Sequence, residues 1–285
     1  MTGPRGTDRR SVLAAATGQL AEAGVPSPEY DAAELLAHVL GTSRAKLFGV
    51  ETVPPDRLVE FDRLVERRAR REPLQHLTGV AHFRHVTLAV GAGVFVPRPE
   101  TELLAGWAIT HASALDRPVV LDLGTGSGAI AAAVANEAPN ARVHALELDE
   151  QAHQWAGRNL AGTGVDLRQG DLATAFDDLA GAVDVIASNP PYIPFDAWES
   201  VAPEARDHDP ELALWSGGDG LDAIRALEAR AAVLLRPGGV IGVEHADVQG
   251  ESAPAVFADS GRWTEVNDHR DLADRPRFLT ARLAR

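Results

Sequence analysis

From residue 118 onward, short apolar stretches alternate with amphipathic helical stretches, and turn residues separate the two. Strands that alternate with helices pair in parallel, because each connection must cross over the sheet. We therefore predict an α/β domain with a doubly wound, mostly parallel, seven-stranded sheet and helices on both faces. The candidate strands are 118–123, 142–147, 165–168, 183–188, 240–244, 263–267 and 278–283.

The N-terminal quarter has a purely helical pattern instead. Apolar residues at helical spacing, with caps and prolines at the ends, predict helices at 11–23, 28–40, 44–48 and from 55 onward. Between Leu74 and Val96 short alternating stretches broken by glycines predict a β-hairpin. We predict a helical domain at 1–73, a β-hairpin linker at 74–97 and the α/β domain at 98–285. Disorder is expected only in residues 1–7.

The charge and composition narrow the classes of partner. A net charge of −14 disfavours direct binding of nucleic acid, because such proteins present a basic face to phosphate. There is no cysteine, which excludes a disulfide framework, a thiolate nucleophile and a cysteine zinc site, and we predict no metal. No apolar run approaches the roughly 20 residues that span a bilayer, and the N-terminus lacks a signal-peptide core. We expect a cytoplasmic protein with a protein partner and no membrane contact.

The first strand of the α/β domain runs into a glycine-rich turn. Glycines there allow the backbone to turn sharply and to approach a ligand at the carboxyl end of a strand. The spacing is G-x-G-x-G, whereas dinucleotide-binding proteins use G-x-G-x-x-G with a pyrophosphate at the helix N-terminus. The next strand ends in Glu147, which is either an exposed strand-end acid or a carboxylate that holds ribose hydroxyls. The turn residues are Gly124, Thr125, Gly126, Ser127 and Gly128, preceded by Asp122.

This arrangement resembles the first two motifs of class I methyltransferases. The resemblance implies S-adenosyl-L-methionine as cofactor, bound by the turn residues and Glu147. It extends to Asp171 and Leu172, which follow a short strand-like stretch. In class I methyltransferases the acid at this place meets the adenine amino group and its neighbour packs on the ring. Leucine in place of an aromatic residue implies contact without stacking.

Asn189-Pro190-Pro191-Tyr192 follows the strand at 183–188. Consecutive prolines fix φ and exclude the helical region for the residue before each, so Asn189 and the Pro190 carbonyl are held in one orientation. Their two oxygens can accept both N–H groups of a planar –NH2, which leaves the nitrogen lone pair free to attack a methyl group. Tyr192 can pack against the planar group.

Alone, this tetrapeptide can be only a rigid turn after a strand. Beside a methyltransferase glycine loop it indicates methylation of a glutamine amide, adenine N6 or guanine N2. We predict Asn189, Pro190 and Tyr192 as catalytic residues, with Pro191 also in the substrate site and Asn189 also in contact with the cofactor.

A third segment resembles one family, the release factor glutamine methyltransferases. The segment is Val96-Pro97-Arg98-Pro99-Glu100-Thr101-Glu102-Leu103-Leu104, preceded by Arg71-Glu72-Pro73-Leu74-Gln75-His76-Leu77-Thr78-Gly79 and Phe83. The resemblance implies N5-methylation of the glutamine in the Gly-Gly-Gln motif of class 1 peptide-chain release factors, with S-adenosyl-L-homocysteine as product. It also implies that the helical domain at 1–73 recognises the substrate. Arg98 and Glu102 are predicted to shape the substrate channel. The alternatives are a ribosomal-protein glutamine, a nucleic-acid adenine, or a scaffold that binds the cofactor without catalysis.

Two further features have competing interpretations. Arg67, Arg68, Arg70 and Arg71 either complement a helix C-terminus or form a docking patch for an acidic partner. The stretch 193–220 is long for a loop in an α/β unit and is predicted to be a lid over the substrate. His208 within it and His245 are candidate bases, although a structural role is the simpler interpretation of each.

Overall fold

The computed structural model describes residues 6–285, so the disorder expected at residues 1–5 lies outside the described part. The chain forms two compact units. Among the described residues, 6–80 together with Ala202–His208 form the helical unit, and Ala81–Val201 with Asp209–Arg285 form the α/β unit. The domain boundaries at 73 and 97 stay predictions. Within residues 6–285, no helix has both the length and the apolar character needed to cross a membrane.

The helices are α1 (Arg9–Glu22), α2 (Pro28–Val39), α3 (Pro55–Ala69), α4 (Leu74–Thr78), α5 (Thr101–Ser113), α6 (Ala129–Glu137), α7 (Glu150–Leu160), α8 (Pro203–His208), α9 (Asp222–Leu234) and α10 (Ser252–Asp259). The strands are β1 (Thr7–Asp8), β2 (Thr52–Val53), β3 (Val80–Phe83), β4 (Val86–Ala89), β5 (Val119–Leu123), β6 (Arg142–Glu147), β7 (Asp166–Gln169), β8 (Val183–Ser188), β9 (Leu235–Glu244), β10 (Trp263–Arg270) and β11 (Pro276–Leu283).

The helical unit is built on α1, α2 and α3. Leu20, Leu35 and Phe61, one from each helix, are fully buried in its core. Helix α1 begins at Arg9 rather than at the expected Ser11, because the Asp8 carboxylate accepts the Ser11 N–H at 2.9 Å and caps the helix. A short pairing of β1 with β2 ties down Thr7, which was expected to be disordered.

The hairpin begins later than its alternating pattern predicted. Residues Leu74–Thr78 form helix α4, and the hairpin itself comprises β3 and β4. The helix has a physical cause: Pro73 precedes it with an extended backbone, and Gly79 ends it with φ of 74°. A left-handed residue after a helix is favourable mainly for glycine.

The arginine cluster at the end of α3 is engaged in ion pairs within the helical unit. The buried Arg68 guanidinium binds Asp31 at 2.7 Å and Glu204 of α8 at 2.8 Å, and Arg71 binds the same Glu204 at 2.7 Å. Arg67 pairs with Glu72. Burial alone raises the pKa of Glu204, but the bonds from Arg71 and Arg68 outweigh it and hold the pKa at about 2. Internal pairing therefore accounts for these three arginines without an acidic partner.

The α/β unit contains the predicted seven-stranded sheet, in the order β10-β11-β9-β8-β5-β6-β7. Strands β9, β8, β5, β6 and β7 pair in parallel, whereas β11 pairs antiparallel with both β9 and β10. One core lies against α5, α6 and α7, and the other lies against α9 and α10. Successive residues of β5 alternate between the two cores, as expected for a strand buried on both faces. The doubly wound fold class is confirmed.

The order of the strands creates a topological switch point. From β5 the chain adds β6 and β7 on one side and then returns to place β8 on the other side of β5. Ligands of doubly wound sheets bind outside the carboxyl ends of the strands at such a point. Because β5 and β8 are neighbours, with Asp122 opposite Ala187, the segments that follow them emerge side by side.

Candidate active site

The turn after β5 has the backbone conformation that its glycines suggested. Gly124, Gly126 and Gly128 have φ of 78°, 57° and 87°, in the left-handed region. A Cβ added at Gly124 or Gly126 would meet nothing within 4 Å, so these two positions border open space. At Gly128 a Cβ would approach Leu160 at 3.1 Å, so this glycine permits close packing of α6 on α7.

Four of the five amides of this turn donate to acceptors of the protein. The N–H groups of Gly124 and Thr125 donate to the Leu146 carbonyl, and that of Gly128 donates to Thr125. The Gly126 N–H donates to the Glu147 carboxylate at 2.8 Å. A phosphate-binding loop instead points such donors at its ligand. The turn is therefore unsuited to a pyrophosphate, which supports the distinction drawn from its spacing.

Glu147 sits at the end of β6 with its carboxylate against the turn. Besides Gly126, it accepts the N–H groups of Leu148 and Asp149 at 2.8 and 2.9 Å. Burial raises the pKa of Glu147, and these backbone bonds oppose that shift. Three donors occupy most of the about four acceptor positions of a carboxylate. Glu147 therefore holds the turn and keeps acceptor capacity for a ligand hydroxyl.

Asp122 and the two polar turn residues are buried beneath the turn. Asp122 accepts the Thr125 hydroxyl at 2.5 Å and the Ala131 N–H at 3.0 Å through one oxygen. Its other oxygen is buried without a partner among residues 6–285. Burial raises the pKa of Asp122 to about 7. The Ser127 carbonyl accepts from Asn159, which joins the turn to α7. Asp122 can thus offer a ligand one unpaired acceptor.

Asp171 and Leu172 follow β7 at the same edge of the sheet. Asp171 is exposed and its carboxylate accepts the Ala173 N–H at 2.8 Å. Leu172 is half-buried and packs against the core on the α9 face. Their contact with a cofactor stays a prediction. The structure shows that both lie at the carboxyl end of a strand that neighbours β6.

Asn189-Pro190-Pro191-Tyr192 leaves β8 beside the glycine turn. The Ser188 hydroxyl donates to the Leu123 carbonyl and so fastens the end of β8 to the end of β5. Pro190 is buried, while Asn189, Pro191 and Tyr192 are half-buried. The structure thus brings together the two motifs that the sequence separates by more than sixty residues.

A buried chain of hydrogen bonds holds Asn189 and Tyr192 from behind. The Asn189 Nδ2 donates to the Thr101 hydroxyl at 3.2 Å, and Thr101 donates to Glu244 at 2.7 Å. The Tyr192 hydroxyl donates to the other oxygen of Glu244 at 3.2 Å. Glu244 has an exposed fraction of 1%. Burial raises the pKa of Glu244 to about 7, and the bond from Thr101 and the charge of Arg277 oppose the shift.

The backbone of Tyr192 has a second anchor. The buried Gln249 amide donates to the Tyr192 carbonyl at 3.0 Å and to the Asp219 carbonyl at 3.2 Å. Gly220 has φ of 76°, and a Cβ there would lie 2.3 Å from the same Tyr192 carbonyl. The sequence analysis did not single out Thr101, Glu244, Gln249 or Gly220 as functional residues. The local sequence features that could have indicated these residues were the glycine at position 220 and the position of Glu244 at the end of a predicted strand.

The two predicted channel residues have structural partners. The Arg98 guanidinium binds the buried Asp209 at 2.6 Å and lies 4.6 Å from the centre of the Phe95 ring. Glu102 accepts the backbone N–H of Arg84, at the turn of the hairpin, at 3.0 Å. These contacts within the protein are sufficient to explain why an arginine and a glutamate occur at these positions, with no need of a substrate. Their role in the substrate channel stays a prediction.

Neither candidate histidine stands out as a base. His208 is the last residue of α8 in the helical unit. His245 is fully buried, and its two ring nitrogens lie 2.8 Å from the Ala246 carbonyl and 2.9 Å from the Asp268 carboxylate. With both nitrogens facing acceptors, His245 has a structural role in joining β9 to β10.

Comparison with known proteins decides between the families that share these motifs. The model of the PrmC N-terminal domain matches residues 11–79, and the model of the methyltransferase small domain matches residues 101–203. A release factor glutamine methyltransferase of Streptomyces coelicolor is 58% identical, over 95% of this chain and 97% of its own length. This chain belongs to the release factor glutamine methyltransferase family.

Other relatives extend over the whole chain as well. A release factor glutamine methyltransferase of Mycolicibacterium smegmatis is 47% identical, over 98% of this chain and 99% of its own. A 4-amino-L-phenylalanine/4-methylamino-L-phenylalanine methyltransferase of Streptomyces pristinaespiralis is 42% identical, over 91% of this chain and 90% of its own. Proteins similar to the release factor glutamine methyltransferase family thus include one named for an aromatic amine.

Proposed function

We propose that this chain transfers a methyl group from S-adenosyl-L-methionine to the side-chain nitrogen of the glutamine in the Gly-Gly-Gln motif of class 1 peptide-chain release factors. The products are the N5-methylated glutamine, S-adenosyl-L-homocysteine and a proton released to solvent. Membership of the family supports the acceptor. The observation that carries the proposal is the placement of Asn189 beside the glycine turn, at the switch point of the sheet.

The residues around the turn fit S-adenosyl-L-methionine. Open space borders Gly124 and Gly126, and Asp122 and Glu147 offer acceptors suited to amino and hydroxyl groups. We propose the whole turn, Glu147, Asp171, Leu172 and Asn189 as the residues that hold the cofactor. When bound there, its sulfonium supplies an electrophilic methyl group. The protein's task is then to place the acceptor nitrogen in line with that methyl.

The acceptor nitrogen of a glutamine is a poor nucleophile, because its lone pair is delocalised into the carbonyl. The Asn189 Oδ1 and the Pro190 carbonyl take the two N–H groups and stabilise the positive charge that builds on nitrogen. Tyr192 and Pro191 flank the planar amide. No strong base is required, because the alkylated nitrogen loses its proton readily. Orientation of the reactants supplies up to about 7–11 kcal/mol of rate enhancement in favourable cases.

The helical unit is proposed to recognise the body of the release factor, while the extended Gly-Gly-Gln tip enters the site. Glycines next to the glutamine keep the tip narrow. The segment 193–220 carries the exposed Phe195 and Trp198, with exposed fractions of 67% and 45%, directly after the motif. We propose the parts of this segment that belong to the α/β unit, residues 193–201 and 209–220, together with Arg98 and Glu102, as the wall of the substrate channel.

A second acceptor is favoured by one relative. The protein of Streptomyces pristinaespiralis is named for a free aromatic amine. An aromatic –NH2 is also planar, with two N–H groups and a delocalised lone pair. The same pair of oxygens on Asn189 and Pro190 suits it, so the acceptor must be tested directly.

The test is methyl transfer by the purified chain to a bacterial class 1 release factor. Parallel reactions contain a ribosomal protein, duplex DNA or 4-amino-L-phenylalanine, and peptide mass spectrometry locates the added methyl. Methylation of the Gly-Gly-Gln glutamine alone is the expected result. Transfer to the free amino acid or to DNA, with the release factor unmodified, contradicts the proposed substrate and keeps the cofactor.

Glu147→Gln is expected to weaken binding of S-adenosyl-L-homocysteine by about 10- to 100-fold, as for loss of a hydrogen bond to a charged group. The glutamine presents an N–H group either to the ligand or to the turn amides that Glu147 now accepts. Isothermal titration calorimetry measures the affinity. Glu150→Gln, at an exposed neighbour, is the matched control. Equal affinities of the two variants would remove Glu147 from the proposed cofactor site.

A further inference from the structure

The catalytic proposal requires the Asn189 side chain to present its oxygen, not its nitrogen, to the acceptor. An asparagine amide can turn over, since its oxygen and nitrogen are nearly equal in size. The two prolines after Asn189 restrict its backbone but not the direction of its terminal amide. Some other group must therefore select one orientation.

The structure supplies that group. The Thr101 hydroxyl has a single proton, and this proton is donated to Glu244 at 2.7 Å. Thr101 can then only accept from Asn189, so the Asn189 atom next to it must be the nitrogen, at 3.2 Å. Within residues 6–285 this leaves the Asn189 oxygen without a hydrogen-bond donor.

We propose that Thr101 and Glu244 are positioning residues that set the direction of the Asn189 amide, so that its oxygen faces the acceptor nitrogen. A carboxylate can only accept hydrogen bonds, so the Thr101 hydroxyl must donate its proton to Glu244. The Thr101 oxygen can then only accept from the Asn189 amide. The second oxygen of Glu244 holds the Tyr192 hydroxyl in the same way. One buried carboxylate thus orients both polar side chains of the motif. The inference rests on the proposed function for the identity of the acceptor.

The charged and titratable groups around Glu244 act on its pKa in both directions. Arg277 on β11 faces it with a positive charge, Glu100 before α5 faces it with a negative charge, and Tyr192 donates to it. Burial raises the pKa of the Tyr192 phenol well above its ordinary value, so Tyr192 stays a donor. With the pKa of Glu244 at about 7, the carboxylate gains a proton as the pH falls below neutral. A protonated Glu244 donates one hydrogen bond. Its partner, the hydroxyl of Thr101 or of Tyr192, must then accept from Glu244 instead of donating to it.

The first test replaces the Thr101 hydroxyl. Thr101→Val keeps the shape and is expected to lower kcat for a Gly-Gly-Gln peptide by about 10- to 100-fold, the scale of a misplaced reacting group. The KM for the peptide and the affinity for S-adenosyl-L-homocysteine are expected to change less than threefold, or about 0.6 kcal/mol. Thr101→Ser restores the hydroxyl and is expected to recover kcat. Thr110→Val, on the same helix but exposed, is the control.

A spectroscopic readout separates positioning from loss of structure. The chain contains five asparagines, so selective ¹⁵N-asparagine labelling gives five side-chain NH2 signal pairs. The pair of Asn189, identified by its absence in Asn189→Asp, is expected to shift in Thr101→Val and to return in Thr101→Ser. Unchanged kcat and an unchanged Asn189 signal in Thr101→Val would overturn the proposal. If the wild type methylates no Gly-Gly-Gln acceptor, the proposed function fails, while the signal still decides the orientation.

The second test concerns Glu244. The kcat of the wild type is expected to fall as the pH decreases through about 7, because Glu244 becomes protonated. Glu244→Gln always donates one bond, so it is expected to have a lower kcat at pH 8 and no such fall. If kcat of Glu244→Gln fell below neutral pH as it does in the wild type, and the two proteins had equal kcat at pH 8, Glu244 would be excluded from this role.

Discussion

Asn189→Ala is expected to reduce kcat for methyl transfer by at least about 10²- to 10³-fold, the scale seen when one preorganised group at a developing charge is removed. The variant loses the oxygen that is proposed to accept an N–H of the acceptor amide. Affinity for S-adenosyl-L-homocysteine is expected to stay within a few-fold, because most of the proposed cofactor contacts lie at the carboxyl ends of β5, β6 and β7. Rapid-quench transfer of labelled methyl measures the chemical step, and calorimetry measures the affinity.

Asn267→Ala is the control for this variant, since Asn267 is exposed on β10 and its side chain donates to the neighbouring Glu265 carbonyl. It is expected to match the wild type in both measurements. Turnover of Asn189→Ala at the wild-type rate would show that the acceptor nitrogen is oriented by other groups. In that case both the mechanism and the role of Thr101 and Glu244 would be wrong.

Arg68→Met is expected to lower the free energy of unfolding by about 3–5 kcal/mol, as for the loss of one partner of a buried ion pair. The side chains of Arg68 and Asp31 are 6% and 8% exposed, so the variant leaves the Asp31 carboxylate buried without its partner. Methionine keeps most of the apolar stem, which restricts the effect to the guanidinium. Denaturant unfolding followed by circular dichroism measures the change.

Two further variants test whether the buried ion pair of Arg68 and Asp31 causes this loss of stability. Arg70→Met changes an exposed arginine of the same cluster and is expected to alter the free energy of unfolding by less than about 0.5 kcal/mol. Arg68→Met combined with Asp31→Leu removes both charges and is expected to recover much of the loss, since an apolar pair of similar volume often replaces a buried ion pair without cost. A loss in Arg68→Met no larger than in Arg70→Met would show that the pairs do not stabilise the helical unit.

The candidate site has two layers that differed in how far the sequence revealed them. The layer proposed to face the ligands comes from two contiguous segments, the glycine turn and Asn189-Pro190-Pro191-Tyr192. Both contain glycines or prolines, whose backbone conformations are distinctive, so both segments can be recognised from the sequence without a structure. The supporting layer comes from distant places: Thr101 lies 88 residues before Asn189 and 143 before Glu244. A threonine in a first helical turn and a glutamate at a strand end have ordinary local explanations, so neither stood out.

Competition between neighbouring residues explains the smaller differences between the predicted and the observed helices. Ser11 and Asp8 are both good helix caps, and the Asp8 side chain prevailed because it reaches the Ser11 N–H. The segment Leu74–Thr78 has an alternating pattern of strand type, yet Pro73 and Gly79 delimit one helical turn there. The arginine cluster had two interpretations, and these could not be separated until Glu204, 136 residues away from Arg68, was seen to bind it.

The sequence by itself determined the seven strands of the main sheet, the sheet class, the glycine turn and the rigid motif after β8, because each depends on the periodicity or backbone restriction of a few adjacent residues. It also determined the family, through long shared segments. Only the tertiary structure decided that the ends of β5 and β8 are neighbours, that four of the five turn amides donate to the protein itself, and that Glu244 reaches Asn189 through Thr101. Those facts depend on which strands pair and which side chains are buried together, and contacts across 50 to 150 residues leave no local pattern in the chain.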